Sequence, residues 1–580
     1  MTSFLPTLKS EQIGCNAAAP KGTLLMSRNW NRREMLRSLS LGVIAGNQLL
    51  AATAKAAVAA PPARCTVLNH HGEPLSLKEF DRFHICDLLM RPFTLEPQFE
   101  LGEAAFQPPE RPFRIALPMI VPGFGEVFVY ADNQGRGYTA QSFSEKPLLL
   151  NFEFAADRLA TVRGLLEECQ RSGITISAAA RERAEKAKAL LEKAGGPAQD
   201  RPTQLGVLTQ SLCESLWAGE MLVTERADQM IARNGPRPGF LFGCNANGPR
   251  RRNQQFVKRF AALFNFATLA SFYRGQVERA HGQPDFSGAA RLLEWLDRTK
   301  IVTKGHPLIF LVPNATPDWQ RNLSFEETTK SCLQHVRDSI LKFRDRVHIW
   351  DVINEAHVQP DTAPGNEMRG FTKEQNGELT AAALKTAREA DPTCFRIVNS
   401  TGTWCDYYMG RQPAPWQQSV YDYLQLVKGA GTEYEAVGLQ YYHSGRDMLE
   451  FERNLESFRG FGKPIHITEL GFSSSSDNVK ESEWWGGGVG GAKILWRGER
   501  FTEETQAQWF EAFYKIAFSK PFVDAITCWD FTDPGFIPNG GLLRADFTPK
   551  ASYERLLALL TKWKGEGILP SVGAQTDGGV

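Results

Sequence analysis

Val347-His348-Ile349-Trp350-Asp351-Val352-Ile353 is a largely apolar, β-branched run followed at once by an amide, Asn354, and a carboxylate, Glu355. Near-continuous apolarity, as opposed to alternation, marks a strand covered on both faces, as in a parallel sheet. Seven comparable runs flank it: Phe240–Asn245, Phe264–Leu269, His306–Val312, Phe395–Asn399, Ala436–Tyr441, Pro464–Glu469 and Ala525–Asp530. Between them lie stretches with helical spacing, namely Phe256–Leu263, Ser287–Arg298 with Ser287 as N-cap, Glu326–Phe343, Gly377–Ala390 and Thr505–Phe518. Strands alternating with helices imply a parallel sheet clad in helices, and eight repeats imply an α/β fold of the (β/α)8 TIM-barrel type. An open doubly wound sheet is the competing arrangement.

In such a barrel the eight βα loops converge beyond the C-terminal strand ends, so chemistry belongs there. The run ends carry Asn245, Leu269 with Ala270, Pro313 with Asn314, Asn354 with Glu355, Asn399, Gln440 to His443, Glu469, and Trp529 with Asp530. All but the second place a polar or acidic group at the expected mouth. Glu355 and Glu469 each close a largely apolar strand, where an isolated carboxylate is expensive to desolvate. Two carboxylates in one cleft meet the requirement for glycosidic bond cleavage: one protonates the leaving oxygen while the other attacks the anomeric carbon or activates water there.

The strings WDVINEA (350–356), PIHITELG (464–471), KGH (304–306) and VGLQ (437–440) strongly resemble glycoside hydrolase family 10, the (β/α)8 endo-β-1,4-xylanases of the two-glutamate retaining clan. The resemblance covers roughly 240–560. It implies Glu355 as general acid/base, Glu469 as the nucleophile that forms a covalent glycosyl-enzyme, and Asn354 as partner of the sugar 2-OH. It also implies His306 and Gln440 lining the subsite of the reacting sugar, with Trp529 as its apolar floor. The same chemistry on another β-glycan is the alternative, and a non-hydrolytic carbohydrate-binding protein on a degenerate barrel is a third reading, against which both intact glutamates and Asn354 argue.

Several positions depart from the family pattern. Thr268-Leu269-Ala270-Ser271-Phe272-Tyr273 stands where a Glu-Asn pair and a following Lys usually grip the next sugar, Phe310-Leu311 replaces Trp-His, and Gly471 replaces an Asp. The family His two residues beyond the strand-six Gln is Tyr442, with His443 next. Either the Tyr442 hydroxyl or a bulge-shifted His443 holds Glu469, His443 being slightly preferred.

The rest of the chain bounds the partner and the compartment. With 66 Lys+Arg against 65 Asp+Glu the net charge is +1, so no field draws in nucleic acid, and a neutral polysaccharide or oligosaccharide fits better. Asn31-Arg32-Arg33-Glu34-Met35-Leu36-Arg37, a mildly apolar run from Leu39 to Ala54 and the Ala57-Val58-Ala59 site resemble a twin-arginine export signal; the run is too short to span a bilayer. Ten Cys without a C-x-x-C pair predict few or no disulfides and no zinc ribbon. No cofactor and no metal are expected, since the His residues lack ligand spacing and G-x-G-x-x-G at 486–491 follows Trp484-Trp485 in a loop. Trp484, Trp485 and Trp496 are candidates for sugar stacking or for packing. The expected organisation is an export segment over 1–59, a β-rich accessory domain with a helical connector over 60–235, the barrel over 236–562 and a tail over 563–580. In the accessory domain Arg114–Leu117, Glu126–Tyr130 and Leu148–Phe152 read as strands, and Phe124, Phe128, Tyr130 and Tyr138 as core aromatics that could alternatively face a glycan.

Overall fold

Burial on both faces, expected from the apolar runs, is what the strands show. The computed structural model describes residues 62–564 except 81, 144–145, 196–199, 248–252, 360–369, 406–415, 443–444 and 477–494, so the export segment, Trp484, Trp485 and the 486–491 glycines lie outside the described residues. Eight strands, β8 (Leu241–Asn245), β9 (Phe266–Leu269), β10 (Val302–Gly305), β11 (Ile349–Asn354), β12 (Phe395–Ser400), β13 (Ala436–Tyr442), β14 (Ile465–Gly471) and β17 (Val523–Cys528), close into a parallel barrel with β17 hydrogen-bonded to β8. Leu241, Phe266, Ile349, Ile397, Ala436 and Ala525 form an apolar layer near the strand starts. Each strand is followed by a helix: α4 (Gln254–Leu263), α5 (Ser287–Leu296), α6 (Phe325–Phe343), α7 (Lys373–Ala390), α8 (Val420–Gly429), α9 (Met448–Ser457), α10 (Glu503–Phe518) and α11 (Ala551–Trp563). A two-stranded ribbon, β15 (Leu495–Trp496) with β16 (Glu499–Arg500), sits in the loop after β14.

Helix starts follow local chemistry. Ser324 with Glu327, and Thr372 with Gln375, form reciprocal capping boxes at α6 and α7, each satisfying two amide N–H groups that the helix leaves unpaired. At α5 the expected cap is displaced: Phe286 holds the N-cap position, and Asp285 Oδ1 accepts the Ser287 N–H at 2.8 Å.

The third barrel strand is corrected by four residues. It is Val302-Thr303-Lys304-Gly305, and His306 begins the loop beyond it, leaving one bridge between Ile309 and Ile353. The run 306–312 is apolar because it lies against barrel residues such as Ile353, a burial that composition alone cannot tell from strand pairing. Gly305 is required by close approach, since a Cβ there would meet Trp350 Cζ3 at 2.2 Å.

Before the barrel, β1 (Ala63–Thr66), β3 (Gln98–Glu100), β4 (Glu103–Phe106) and β7 (Leu148–Leu149) form one sheet in the order β3-β4-β1-β7, and β2 (His84–Asp87), β5 (Phe113–Val121) and β6 (Gly125–Ala131) form another in the order β2-β5-β6. Three helices follow, α1 (Leu150–Arg171), α2 (Ala178–Ala194) and α3 (Arg201–Asn234). The strand expected over Leu148–Phe152 stops at Leu149, because Asn151 turns its side chain onto the backbone of Leu68 and Phe154 and Ala155 bury the first turns of α1. Phe124, Phe128, Tyr130 and Tyr138 are all buried. Helix α3, 34 residues and so about 50 Å long, sends Leu208, Leu212 and Leu216 into the β-rich core and Leu222, Val223 and Ala227 into the core shared with the barrel. All nine described cysteines are free thiols, and no helix among the described residues is long and apolar enough to cross a membrane.

Candidate active site

Strand geometry brings the two glutamates to one end of the barrel. Asn354 ends β11, and Glu355 immediately after it takes the left-handed conformation at φ 55°, unusual for a residue with a Cβ and costing on the order of 1 kcal/mol or more. Its N–H donates to the Asn399 carbonyl at 2.9 Å, which ties the strained turn to β12. On β14 the pairing with β13 slips by one residue: Leu439 faces Ile467, but Gln440 faces Glu469. Such an irregularity re-aims side chains. Thr468, the extra residue, donates its hydroxyl to Asn399 Oδ1 at 2.5 Å.

One hydrogen-bonded chain joins the carboxylates. Gln440 Nε2 donates to Glu355 Oε1 at 2.9 Å and reaches Asn354 Oδ1 at 3.3 Å, while Asn354 Nδ2 lies 3.3 Å from Glu355 Oε1. Asn399 Nδ2 donates to Asn354 Oδ1 at 2.7 Å and to Glu469 Oε1 at 3.1 Å. The Tyr442 hydroxyl donates to Glu469 Oε2 at 2.5 Å. Glu469 is thus held at both oxygens. Tyr442 therefore makes the contact for which His443 was preferred; His443 itself lies outside the described residues. The phenol can serve because β13 continues through Tyr442, placing its ring on the same face as Gln440.

Below the carboxylates lies a buried charged triad. Lys304 Nζ and His306 Nδ1 both approach Asp351 Oδ2 at 2.7 Å, with all three side chains buried. Burial works against the Asp351 carboxylate, yet Lys304 and His306 hold it below its ordinary range. Burial lowers the His306 pKa against the opposing pull of Asp351, which favours the neutral ring; with its proton on Nδ1 directed at Asp351, Nε2 faces Glu469 Oε1, 3.8 Å away. Trp529 packs edge-on against His306 at 5.1 Å between ring centroids, and Tyr273 does so at 6.0 Å.

Burial dominates the acidity of both glutamates. It pushes Glu355 up to about 7 against the hydrogen bonds from Gln440, Asn354 and Gln359. It pushes Glu469 up to about 8, with the Glu355 charge adding to the rise and the Tyr442 hydroxyl and Lys304 opposing it. Two buried acids this close do not ionise independently, so the pair keeps one shared proton through neutral pH.

Of the residues expected at the site, Glu355, Glu469, His306, Asn354, Gln440, Tyr442 and Trp529 converge. Trp496 does not belong with them: it is buried against Phe472 and under the Arg497 guanidinium. Sequence reading gave no role to Asn399, Lys304, Asp351 or Tyr273. Asn399 was visible as a polar strand end, and Lys304 and Asp351 as charges inside otherwise apolar runs. Tyr273 carried no signal beyond its place after β9. Gly471 is explained by the loop after β17, since a Cβ there would meet Ile537 Cδ1 at 2.3 Å. Among the described residues no group of three or more His, Cys, Asp or Glu is arranged to hold a metal ion.

Comparison with known proteins places this geometry. Residues 236–559, more than half of the chain, match glycosyl hydrolase family 10. The chain is 28% identical over 290 residues to endo-1,4-beta-xylanase B of Thermotoga neapolitana, covering 48% of this chain and 74% of that protein. To endo-1,4-beta-xylanase B of Cellvibrio japonicus it is 24% identical over 287 residues, 49% of this chain and 40% of that protein. The crystal structure of native xylanase 10B from Thermotoga maritima superposes with a TM-score of 0.43 and 22% identity, covering 59% of this chain and 98% of that one.

Proposed function

Because the chain belongs to glycosyl hydrolase family 10, and is thereby a glycoside hydrolase, we propose that it is an exported, retaining endo-type enzyme that cleaves β-1,4-xylan by double displacement. The observation that carries this reading is the pair of buried carboxylates, Glu355 and Glu469, joined through Gln440, Asn354 and Asn399. Glu469, gripped at both oxygens, is oriented to attack the anomeric carbon as its carboxylate. In the reactive form the shared proton sits on Glu355 and passes to the leaving oxygen, although Glu469 has the higher pKa in the free site. When Glu469 becomes an ester its charge disappears, the acidity of Glu355 rises, and the resulting carboxylate accepts a proton from the water that releases the sugar. Asn354, already poised between Gln440 and Asn399, offers its amide to the 2-OH, a contact worth most in the oxocarbenium-like transition state. The neutral His306 offers Nε2 to another sugar hydroxyl, and Trp529 forms an apolar floor.

Azide rescue tests the assignment. Glu469→Ala is expected to lose at least about 10³-fold in kcat and, with azide, to give the inverted glycosyl azide. Glu355→Ala with azide is expected to give the azide of retained configuration. Hydrolysis unchanged in either variant would sink the mechanism. The run Thr268–Tyr273, standing where the family carries a Glu-Asn pair and a Lys, and Leu311, standing where it carries a His, favour a second reading in which the same chemistry acts on a different β-glycan. Reducing-end release measured side by side on xylan, mixed-linkage glucan and mannan decides between the two. Export by the twin-arginine route is supported by Arg32-Arg33 and the following apolar run; Arg32→Lys with Arg33→Lys is expected to leave the protein in the cytoplasmic fraction.

A further inference from the structure

A charge taken out of water is costly unless a partner compensates it, so buried ionic contacts between two parts of a chain need a reason. Between the β-rich unit and the barrel such pairs run from Asp447 through Glu450, Glu452 and Arg453, with Arg497 paired to Glu220 beside them, and the stretch that opens this row is held most closely. Four consecutive residues, Gly445 to Asp447 in the loop between β13 and α9 and Met448 at the start of α9, are each held from the N-terminal side. The Gly445 carbonyl accepts the Phe128 N–H at 2.8 Å, which extends the edge of β6 onto the loop. The Arg446 guanidinium is sandwiched between the Phe128 ring at 4.0 Å and Trp404 at 4.8 Å, and its Nε reaches the Tyr130 hydroxyl at 3.4 Å. Asp447, which caps α9, accepts two bonds from Arg158. The Met448 N–H donates to Glu220 Oε1 at 2.9 Å.

Glu220, on α3 and 2% exposed, also reaches the next loop: its Oε2 accepts Arg497 Nε at 3.1 Å, in the connection that follows β14. One carboxylate thus ties together the loops after the strands that carry Tyr442 and Glu469. The clamped segment starts three residues beyond Tyr442, whose hydroxyl orients Glu469 at 2.5 Å.

We propose that the β-rich unit is a positioning device for the nucleophile: by clamping residues 445–448 through Phe128, Arg158 and Glu220, it holds the Tyr442 hydroxyl on Glu469. Phe128 and Tyr130, candidates for a glycan-facing surface, are used up in this seam. The inference rests on the reading of Glu469 as nucleophile. Burial and the Glu469 charge keep the Tyr442 phenol protonated, so it is a donor throughout the working pH range. Glu469 also faces Glu355 and Asp351, which raise its pKa, Lys304, which lowers it, and the His306 ring; Asp530 and Glu355 act on Tyr442. Tyr273, buried close by, faces the charges of Glu469, Glu355 and Asp351.

Full-length Glu220→Ala, Tyr442→Phe and the double variant, assayed on xylan for kcat, KM and the pH profile, test the idea. Glu220→Ala is expected to lower kcat roughly tenfold with KM within about twofold, and to move the acid limb of kcat/KM to higher pH, as Tyr442→Phe does. The double variant is expected to be no slower than Tyr442→Phe alone. A Glu220→Ala enzyme with a lower Tm but wild-type kcat and acid limb overturns the proposal, as does multiplication of the two effects. Should Glu220→Ala not fold, Glu220→Gln, which keeps a carbonyl for Met448 but loses the ion pair with Arg497, is read by the same kcat and acid-limb criteria. A wild-type enzyme silent on every β-glycan tested overturns the functional reading; turnover by wild type beside a full-rate Glu220→Ala overturns the clamp alone.

Discussion

At the residue scale the site is a compromise between burial and charge. Both glutamates carry raised pKa values, and activity requires one proton on the pair. Loss of that last proton removes the acid, so kcat/KM is expected to fall as pH rises through about 8. Glu355→Ala, measured on an aryl glycoside whose leaving group needs no protonation, is expected to lose that alkaline limb. The same shifts bear on stability. A carboxyl whose folded pKa lies above its ordinary 4.5 costs nothing below that value, and folding becomes less favourable as pH climbs from 4.5 to the folded pKa of about 8, because over that window the unfolded chain releases a proton that the native state retains. Glu469→Gln is therefore expected to be more stable than wild type at pH 8, on the order of 1–3 kcal/mol, and equal to it at pH 4. Urea unfolding at the two pH values checks this, and a destabilised variant at pH 8 would contradict it. The catalytic pair was legible in the sequence because each Glu closes a largely apolar run. Asn399, the link between them, was legible only as a polar strand end, since its role depends on reaching Asn354 on the adjacent β11 and Glu469 on β14, two strands away.

At the element scale, seven of the eight barrel strands lie where continuous apolar runs place them, with ends shifted by one or two residues. The third does not, because β10 is only Val302–Gly305 and carries the buried Lys304, while the more apolar 306–312 lies beyond it. A buried charge within a strand hid the element from a reading based on hydrophobicity, and a buried loop imitated one. The same site sets a limit on side chains. Gly305→Ala would drive a methyl into the Trp350 ring, whose own position is fixed by its Nε1 bond to the Val347 carbonyl at 3.1 Å. The expected cost is about 2–4 kcal/mol, read as a lower denaturation midpoint with an unchanged slope. At α6, Ser324→Ala removes one half of the capping box and is expected to cost about 1 kcal/mol.

At the scale of the whole molecule, the β-rich unit and the barrel share a core. Leu222, Val223 and Ala227 of α3 pack into the barrel's apolar cluster, and Arg226 pairs with the buried Glu452 of α9. A barrel produced from residue 236 onward would expose that surface, lose Arg158 from Asp447 and lose Arg226 from Glu452, which would keep only Lys520. It is expected to be recovered insoluble, or to melt at least about 10 °C below the full chain in thermal denaturation followed by circular dichroism. A fragment as stable and as active as the full chain would show the N-terminal unit to be dispensable.

Local order along the chain determined a good deal by itself: alternating apolar runs and amphipathic helices specify a helix-clad parallel barrel, and carboxylates that end two of those runs specify where its chemistry lies. Both follow from short-range periodicity, which one dimension records. Tertiary structure alone decided which groups hold those carboxylates. The choice of Tyr442, the Asn399 bridge, the Lys304–Asp351–His306 triad and the Glu220 clamp each depend on contacts between residues 27 to 277 positions apart. Periodicity carries no information at that range; only strand register and the docking of α3 bring such residues together.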